Sequence, residues 1–304
     1  MSGRLLVPDD NGVLVPSDEG MGIGEVSANE HLLSLAANSG GSGAGMSHWA
    51  QASRCGRRAR LSAERYQRFA DEGRELPASK NHFIIGSVMH KLHELARKPD
   101  PSVVLDYNEQ FKNPNVAEGT RLYKGWLRHH GLHFYGEPTA VEQHLSDENT
   151  FAPATVTAAI DMVVELDVAA CSRLRSWGLE VPPGVTLVDW KSADSPSDGT
   201  NYKEGLQSLW YPYIWNLHNP DRPAQGIIFD VTMKRSRRKE RAVLRDDFQK
   251  FFVPFGLESV ESLRGMVMQG YRNVEDNIPN RSECTSFFGG TCPFKTNGEC
   301  DAHM

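Results

Sequence analysis

Three charged side chains lie in two apolar, β-prone segments, and together they could hold a divalent cation. Asp161 lies in the segment 154–166, and Asp189 and Lys191 close the segment 184–191. Alternate residues of a strand point to the same face, so Asp189 and Lys191 project together, and strand pairing would bring Asp161 close to them. Two carboxylates in one site repel unless a cation separates them, and hard oxygens suit Mg²⁺ or Mn²⁺. The set predicts metal-assisted hydrolysis of a phosphodiester, with Lys191 orienting or deprotonating water or stabilising phosphoryl charge.

The alternative for Asp189 and Lys191 is an ordinary surface ion pair at a strand end. What favours chemistry is the sequence around them. A helix predicted over 201–219 follows, and it carries Gln207 and Tyr211 four residues apart, so both lie on one helical face.

The surrounding pattern predicts an α/β domain with a mixed central sheet flanked by helices. Apolar spacing and β-branched runs predict these elements: helices over 82–98, 116–131, 201–219 and 245–272, and strands over 139–145, 154–166, 184–191 and 226–233. Residues 1–47 are rich in Gly, Ser, Asp and Asn and are predicted to be a mobile arm or linker, which leaves 48–304 as the globular domain.

Composition narrows the class of protein. The chain has 304 residues and a formal net charge of −6, which does not fit a generic nucleic-acid coat. Two local basic runs, 53–60 and 234–241, are either solvated charged surfaces or nucleic-acid contacts. No apolar run approaches the length of a membrane span, and the N-terminus does not resemble a secretory signal, so we expect no membrane contact and a cytoplasmic location, or the host cytoplasm for a phage protein.

Four short motifs in order resemble the PD-(D/E)xK nuclease superfamily, in its RecB-like exonuclease branch. They are "GSVMHKLHE", "AAIDMVVEL", "LVDWKSA" and "QSLWY". The resemblance covers about residues 50–300. It implies a restriction-endonuclease-like core and a Mg²⁺- or Mn²⁺-dependent deoxyribonuclease, an exonuclease of phage or bacterial DNA processing, recombination or repair.

The resemblance also implies roles for single residues. Asp161 and Asp189 would be metal ligands, joined by the Trp190 carbonyl and by His90, and Lys191 would be the catalytic lysine. Two further residues, Gln207 and Tyr211, would position the substrate or brace Lys191. Glu142 in "VEQHL" is where the family often has a further acid, and it is the weakest of these assignments.

The cysteines suggest a second metal centre. Three of the five, Cys284, Cys292 and Cys300, close the chain, and clustered thiols without an export signal more often bind metal than form disulfides. Nucleases of the AddB type tie a [4Fe–4S] cluster with one cysteine before the core and three after it, and Cys55 matches the first position. The spacing of the final three is wider than in that family, and four thiolates could equally hold zinc. The fifth cysteine, Cys171, is expected to be an ordinary buried thiol.

DNA is therefore the expected partner. The chain has no Walker-type phosphate loop, so any helicase or recombination motor must be a separate protein. Two other classes of protein compete with a nuclease: a non-catalytic DNA-binding or recombination subunit that kept the fold, and a nucleic-acid scaffold organised by the cysteine tail.

Overall fold

A computed structural model describes residues 6–8, 14–16, 46–72, 81–98, 113–234, 243–256, 260–276, 278 and 300. Its strands are β1 Leu6–Pro8, β2 Leu14–Pro16, β3 Pro138–Asp147, β4 Val156–Leu166, β5 Gly184–Ala193, β6 Gly226–Met233 and β7 Phe248–Pro254. The helices are α1 Met46–Arg54, α2 Gly56–Asp71, α3 Asn81–Arg97, α4 Pro114–His130, α5 Val168–Arg175, α6 Thr200–Lys203, α7 Leu206–His218 and α8 Val260–Glu275.

The central sheet has five strands in the order β3-β4-β5-β6-β7. Its first three strands form an antiparallel meander, β6 runs parallel to β5, and β7 pairs antiparallel with β6. Parallel neighbours need a crossover connection, and α6 and α7 lie in that connection. The predicted fold class, a mixed sheet flanked by helices, is confirmed.

Helices cover both faces of the sheet, and the three middle strands, β4, β5 and β6, bury residues of both parities. On one face, α3 and α4 pack on Met162, Val188 and Trp190. On the other face, α1, α7 and α8 pack on Leu187 and Phe229. Neighbouring residues of β5 therefore face different layers, and Asp189 points to the α7 side while Trp190 points to the α3 side.

The predicted helix over 245–272 is wrong in its first half, which is a short 3₁₀ turn at Arg245–Asp247 followed by β7. The apolar residues Phe248, Phe251 and Phe252 have a spacing that fits one face of a helix. In the fold, Phe248 and Phe252 pack in the layer of α3 and α4, whereas Phe251 packs in the layer of α7. A strand with apolar residues on both faces thus imitates helical spacing.

The remaining predicted elements are present. Helix 201–219 is divided into α6 and α7 at residues 204–205, and the other bounds agree within a few residues. Within the predicted arm, β1 and β2 pair as a short antiparallel hairpin and Met46 begins α1, while the rest of the arm lies outside the described residues.

The cysteines and the basic runs are described only in part. Cys55 is buried between α1 and α2, Cys171 is buried in α5 as expected, and Cys300 is described, whereas Cys284 and Cys292 are outside the described residues. The run 53–60 lies on α1 and α2, and only Lys234 of the run 234–241 is described. In the described part of the chain, no helix combines the length and apolar character that crossing a membrane requires.

Candidate metal centre

Three neighbouring strands bring acidic residues to one place. The pairing of β3 with β4 sets Glu142 opposite Asp161. The last paired residues of β4 and β5 at this end are Met162 and Val188. Asp161, which precedes Met162, and Asp189, which follows Val188, lie just beyond this last pair. The carboxylates of β3, β4 and β5 therefore form a row where β4 and β5 stop pairing.

An imidazole from α3 completes a possible ligand set. His90 Nδ1 lies 3.3 Å from Asp161 Oδ2, and 31% of the His90 side chain is exposed. One donor atom from each of His90, Glu142 and Asp161 lies within 4.8 Å of the other two. Two carboxylates and one imidazole at this separation suit a divalent cation.

The backbone of β5 also holds Asp161. The amide N–H of Trp190 donates to Asp161 Oδ2 over 2.8 Å. One carboxylate oxygen thus accepts from β5 and contacts His90, which fixes its orientation between the two elements. The Trp190 carbonyl, expected as a further ligand, stays a prediction.

Asp189 and Lys191 form an ion pair next to this ligand set. Lys191 Nζ lies 2.5 Å from Asp189 Oδ2, and the side chain of Asp189 is 2% exposed while that of Lys191 is 28% exposed. Gln207 Nε2 donates to Asp189 Oδ1 over 2.8 Å, and Gln207 is hydrogen-bonded in turn to Tyr211. The α7 pair therefore holds Asp189, and the expectation that Gln207 and Tyr211 position substrate or brace Lys191 stays a prediction.

The charges of these groups depend on one another. Burial alone would lower the pKa of His90, but the charge of Asp161 and its hydrogen bond outweigh burial and raise the pKa to about 9. Burial would raise the pKa of Asp161, yet His90, Lys191 and the Trp190 amide bring it below its usual value. The positive charge next to Asp161 thus comes from the protonated imidazole of His90.

Glu142 is held in an unfavourable state. Burial, and then the charge of Asp161, raise the pKa of Glu142 to about 7. Its backbone φ is +49°, a left-handed conformation that costs a non-glycine residue roughly 1–3 kcal/mol. Both features occur at the position that faces Asp161, so the fold places a carboxyl group there at the expense of stability.

Lys191 keeps its proton. Burial would lower the pKa of the ammonium group, but the charges of Asp189 and Asp161 outweigh burial and raise it. Burial and Asp161 raise the pKa of Asp189, against the opposing effect of Lys191. At neutral pH the side chain of Lys191 is therefore a hydrogen-bond donor with a positive charge.

The opposite face of β5 is clamped by aromatic and charged groups that sequence reasoning missed. The ring of His93 stacks on Trp190 at 4.2 Å with an interplanar angle of 5°, and the guanidinium of Arg97 lies 5.0 Å from the Trp190 ring. Behind them, Asp230 Oδ1 accepts from Lys250 over 2.6 Å, and both side chains are almost fully buried. The strand that carries Asp189 and Lys191 is thus fixed from its other side.

Tyr202 is a further residue near the centre that the sequence reasoning missed. Tyr202 of α6 is half-buried, and its electrostatic interaction with Lys191 contributes to the raised pKa of that lysine. Tyr202 also stacks on Phe229 with ring centroids 5.1 Å apart. The only signal in the sequence was an aromatic residue at the start of a helix that follows the Asp-x-Lys motif.

The structure therefore brings together seven of the residues singled out from sequence: His90, Glu142, Asp161, Asp189, Lys191, Gln207 and Tyr211. The cysteines are not brought together in the described residues, because Cys284 and Cys292 fall outside them.

The chain has only limited similarity to known proteins. No family model matches the chain, and no curated protein matches it. Among solved structures, SSO0001 has a TM-score of 0.44 at 13% identity and covers 91% of this chain and 97% of its own. A structure from Eubacterium rectale named "Putative exonuclease" has a TM-score of 0.45 at 12% identity, with 88% and 92% covered. At these values, function must be inferred from the site itself.

Proposed function

We propose that the protein is a metal-dependent DNA nuclease that hydrolyses phosphodiester bonds. The observation that carries the proposal is the row of Glu142, Asp161 and Asp189 across three strands, with His90 against Asp161 and Lys191 against Asp189. A structural ion-pair network would not need Glu142 in a left-handed conformation and with a raised pKa.

The residues fit a divalent cation. His90, Glu142 and Asp161 would hold Mg²⁺ or Mn²⁺, with Asp189 beside them as a further carboxylate. When bound, the ion would polarise a phosphoryl oxygen and lower the pKa of a coordinated water.

The chain's own residues would carry the other parts of the reaction. Lys191 keeps its proton, so it would donate to a phosphoryl oxygen or to the attacking water and stabilise developing negative charge. Gln207 would hold Asp189 in place, and Tyr211 would hold Gln207. The Trp190 amide would keep Asp161 oriented towards His90.

A cleavage assay tests the proposal. End-labelled linear DNA and closed circular DNA are incubated with Mg²⁺ or Mn²⁺, with EDTA as the blank. We expect metal-dependent loss of the linear substrate alone, as an exonuclease gives, and we expect Asp189→Ala to abolish it. Asp221→Ala, at an exposed position in the turn after α7, is the matched control.

Two outcomes would contradict this proposal. Protein that binds DNA but cuts neither substrate with either metal is a DNA-binding subunit that retains the fold. Full activity of Asp189→Ala would show that the site lies elsewhere. Cleavage of the circle would keep the nuclease and make it an endonuclease.

We also propose that Cys55, Cys284, Cys292 and Cys300 bind one structural centre, a [4Fe–4S] cluster rather than zinc. One contact supports the proposal: the amide of Arg57, two residues after Cys55, donates to the carbonyl of Ile278, six residues before Cys284, over 3.1 Å. Such a centre would close a long loop and stabilise the fold. Anaerobically purified protein should be brown and absorb near ~400 nm, and Cys300→Ser should bleach it. Colourless protein with one zinc per chain would overturn the cluster.

A further inference from the structure

A basic cleft lies at the C-terminal end of α4, apart from the metal centre. It has a volume of about 790 Å³, within the usual range of ligand clefts of ~300–1,000 Å³. Its lining residues are Lys124, Leu127, Arg128, His129, His130, Gly131, Leu132, His133, Phe134 and Arg173. Six of these ten are basic or imidazole side chains, and none of the described lining residues is acidic, in a chain whose net charge is −6.

Basic residues in the last turn of a helix also stabilise the helix dipole, and Arg128, His129 and His130 could serve that purpose alone. The other three basic or imidazole side chains lie outside that last turn. Lys124 lies one turn earlier, His133 lies in the loop after α4, and Arg173 comes from α5. The convergence of three segments on one cleft points to a ligand rather than to the helix.

Both arginines of the lining, Arg128 and Arg173, are placed to bind an anion. Arg173 Nε donates to the Phe134 carbonyl over 2.9 Å, which fixes a guanidinium with further N–H donors at the cleft wall. Arg128 is exposed and forms no ion pair with any residue that the structure describes. Arg173 likewise has no carboxylate partner among the described residues, whereas His133 Nδ1 lies 2.8 Å from Glu137 Oε1.

His130 contributes shape rather than charge. Its Nδ1 donates to the Trp126 carbonyl over 3.0 Å, and its ring stacks on Trp177 at 4.2 Å. Burial and the nearby charge of Lys250 lower the pKa of His130 to about 4. Permanent charge in the cleft therefore comes from Lys124, Arg128 and Arg173.

The position of the cleft relates it to the metal centre. Arg97 Nη2 donates to the carbonyl of Leu132, a lining residue, over 3.1 Å. Arg97 is seven residues after His90 on α3, so the two are separated by about 10 Å along the helix. Along a duplex, each strand carries one phosphate per about 3.4 Å of helix axis, so three or more nucleotides of a duplex would span that separation.

We propose that this cleft binds backbone phosphates of the nucleic-acid substrate, three or more nucleotides away from the bond at the metal centre. The inference rests on the proposed nuclease function and adds to it a second contact that holds the strand. Backbone contact requires charge rather than base recognition, so binding there should not depend on sequence.

The experiment measures binding without cleavage. Fluorescence anisotropy with a labelled 20-nucleotide single strand in EDTA is carried out over a salt series for the wild type, Arg128→Glu, Arg128→Lys and Arg272→Glu. Loss of one phosphate contact should reduce the slope of log affinity against log salt by about 0.7 and weaken binding roughly fivefold at 0.1 M salt. We expect at least this loss in Arg128→Glu and near-normal binding in Arg128→Lys, which keeps the charge.

Arg272→Glu is the matched control because it makes the same charge change on an exposed helical position of α8, across the sheet from α4. Circular dichroism melting checks that each variant is folded. A second arm measures stabilisation by inorganic phosphate. If Arg128→Glu loses phosphate stabilisation but binds the strand normally, the cleft is a small-anion site and the proposal is wrong.

Equal strand binding by the wild type and Arg128→Glu would also contradict the proposed role of the cleft, even if the wild type cleaves DNA. Conversely, a wild type that never cleaves but binds the strand through Arg128 would keep the cleft and refute the nuclease. The two proposals can thus fail separately.

Discussion

Replacing Glu142 by glutamine should stabilise the metal-free protein while removing metal binding. Raising the pKa of Glu142 from 4.5 to about 7 corresponds to roughly 3 kcal/mol, at 1.36 kcal/mol for each pKa unit. Glutamine has the same size and cannot ionise, so it removes this penalty. Allowing for screening at a partly exposed site, we expect a gain of about 1–3 kcal/mol, or about 3–10 °C in melting temperature for a domain of this size.

The gain should depend on pH with a definite sign. An acid whose folded pKa is raised releases its proton first in the unfolded state, so the wild type loses stability as pH rises from 4.5 to about 7. The difference between Glu142→Gln and the wild type should therefore be small near pH 5 and constant above pH 7.

Thermal melting in EDTA at pH 5 and pH 8 measures this difference, and a repeat with excess Mn²⁺ measures the metal effect. Mn²⁺ should stabilise the wild type and leave Glu142→Gln almost unchanged. Glu148→Gln, in the exposed turn after β3, is the control for loss of one carboxylate. A Glu142→Gln protein that melts below the wild type at pH 8 in EDTA, or that Mn²⁺ stabilises normally, would refute the reasoning.

Three further outcomes can be measured. Lys191→Ala should still bind metal and DNA while turnover falls by about 10²-fold or more. Lys203→Ala on α6 is its control. Normal turnover in Lys191→Ala would show that Lys191 is only an ion-pair partner of Asp189. Metal affinity should rise by up to tenfold per pH unit between pH 7 and pH 9, because binding displaces a proton from His90, whose pKa is about 9. Calorimetry in buffers of different ionisation heat would detect the released proton. An affinity that does not depend on pH would contradict this prediction. Asn273→Ala should lower the free energy of unfolding, measured in urea, by about 1–3 kcal/mol. The reason is that the side-chain amide of Asn273 donates to two carbonyls at the end of α1. An unchanged urea midpoint would show that water replaces these hydrogen bonds.

The sequence predicted the elements that have one regular apolar pattern, such as α3 and β6, and the order in which they occur. It did not predict β7, because Phe248, Phe251 and Phe252 fit a helical spacing equally well. That ambiguity is removed only by pairing with β6, which is a tertiary contact.

The residues of the candidate site were likewise predictable from the sequence only in part. Asp161, Asp189 and Lys191 could be found because strand alternation sets their direction. The left-handed backbone of Glu142 and its place opposite Asp161 depend on the register of β3 with β4, which the sequence does not display. The buried pair of Asp230 and Lys250 is likewise visible only once β6 and β7 are side by side.

The crossover between β5 and β6 has a consequence for the order of folding. The meander of β3, β4 and β5 needs only antiparallel neighbours, whereas parallel pairing requires closure of the connection that contains α7. Asp189 receives its bond from Gln207 only after α7 docks on the sheet. A chain still emerging from the ribosome would thus present His90, Glu142 and Asp161 before Asp189 is braced. In the nuclease proposed above, the full arrangement of the site would thus be complete only when the parallel pair of the sheet has formed.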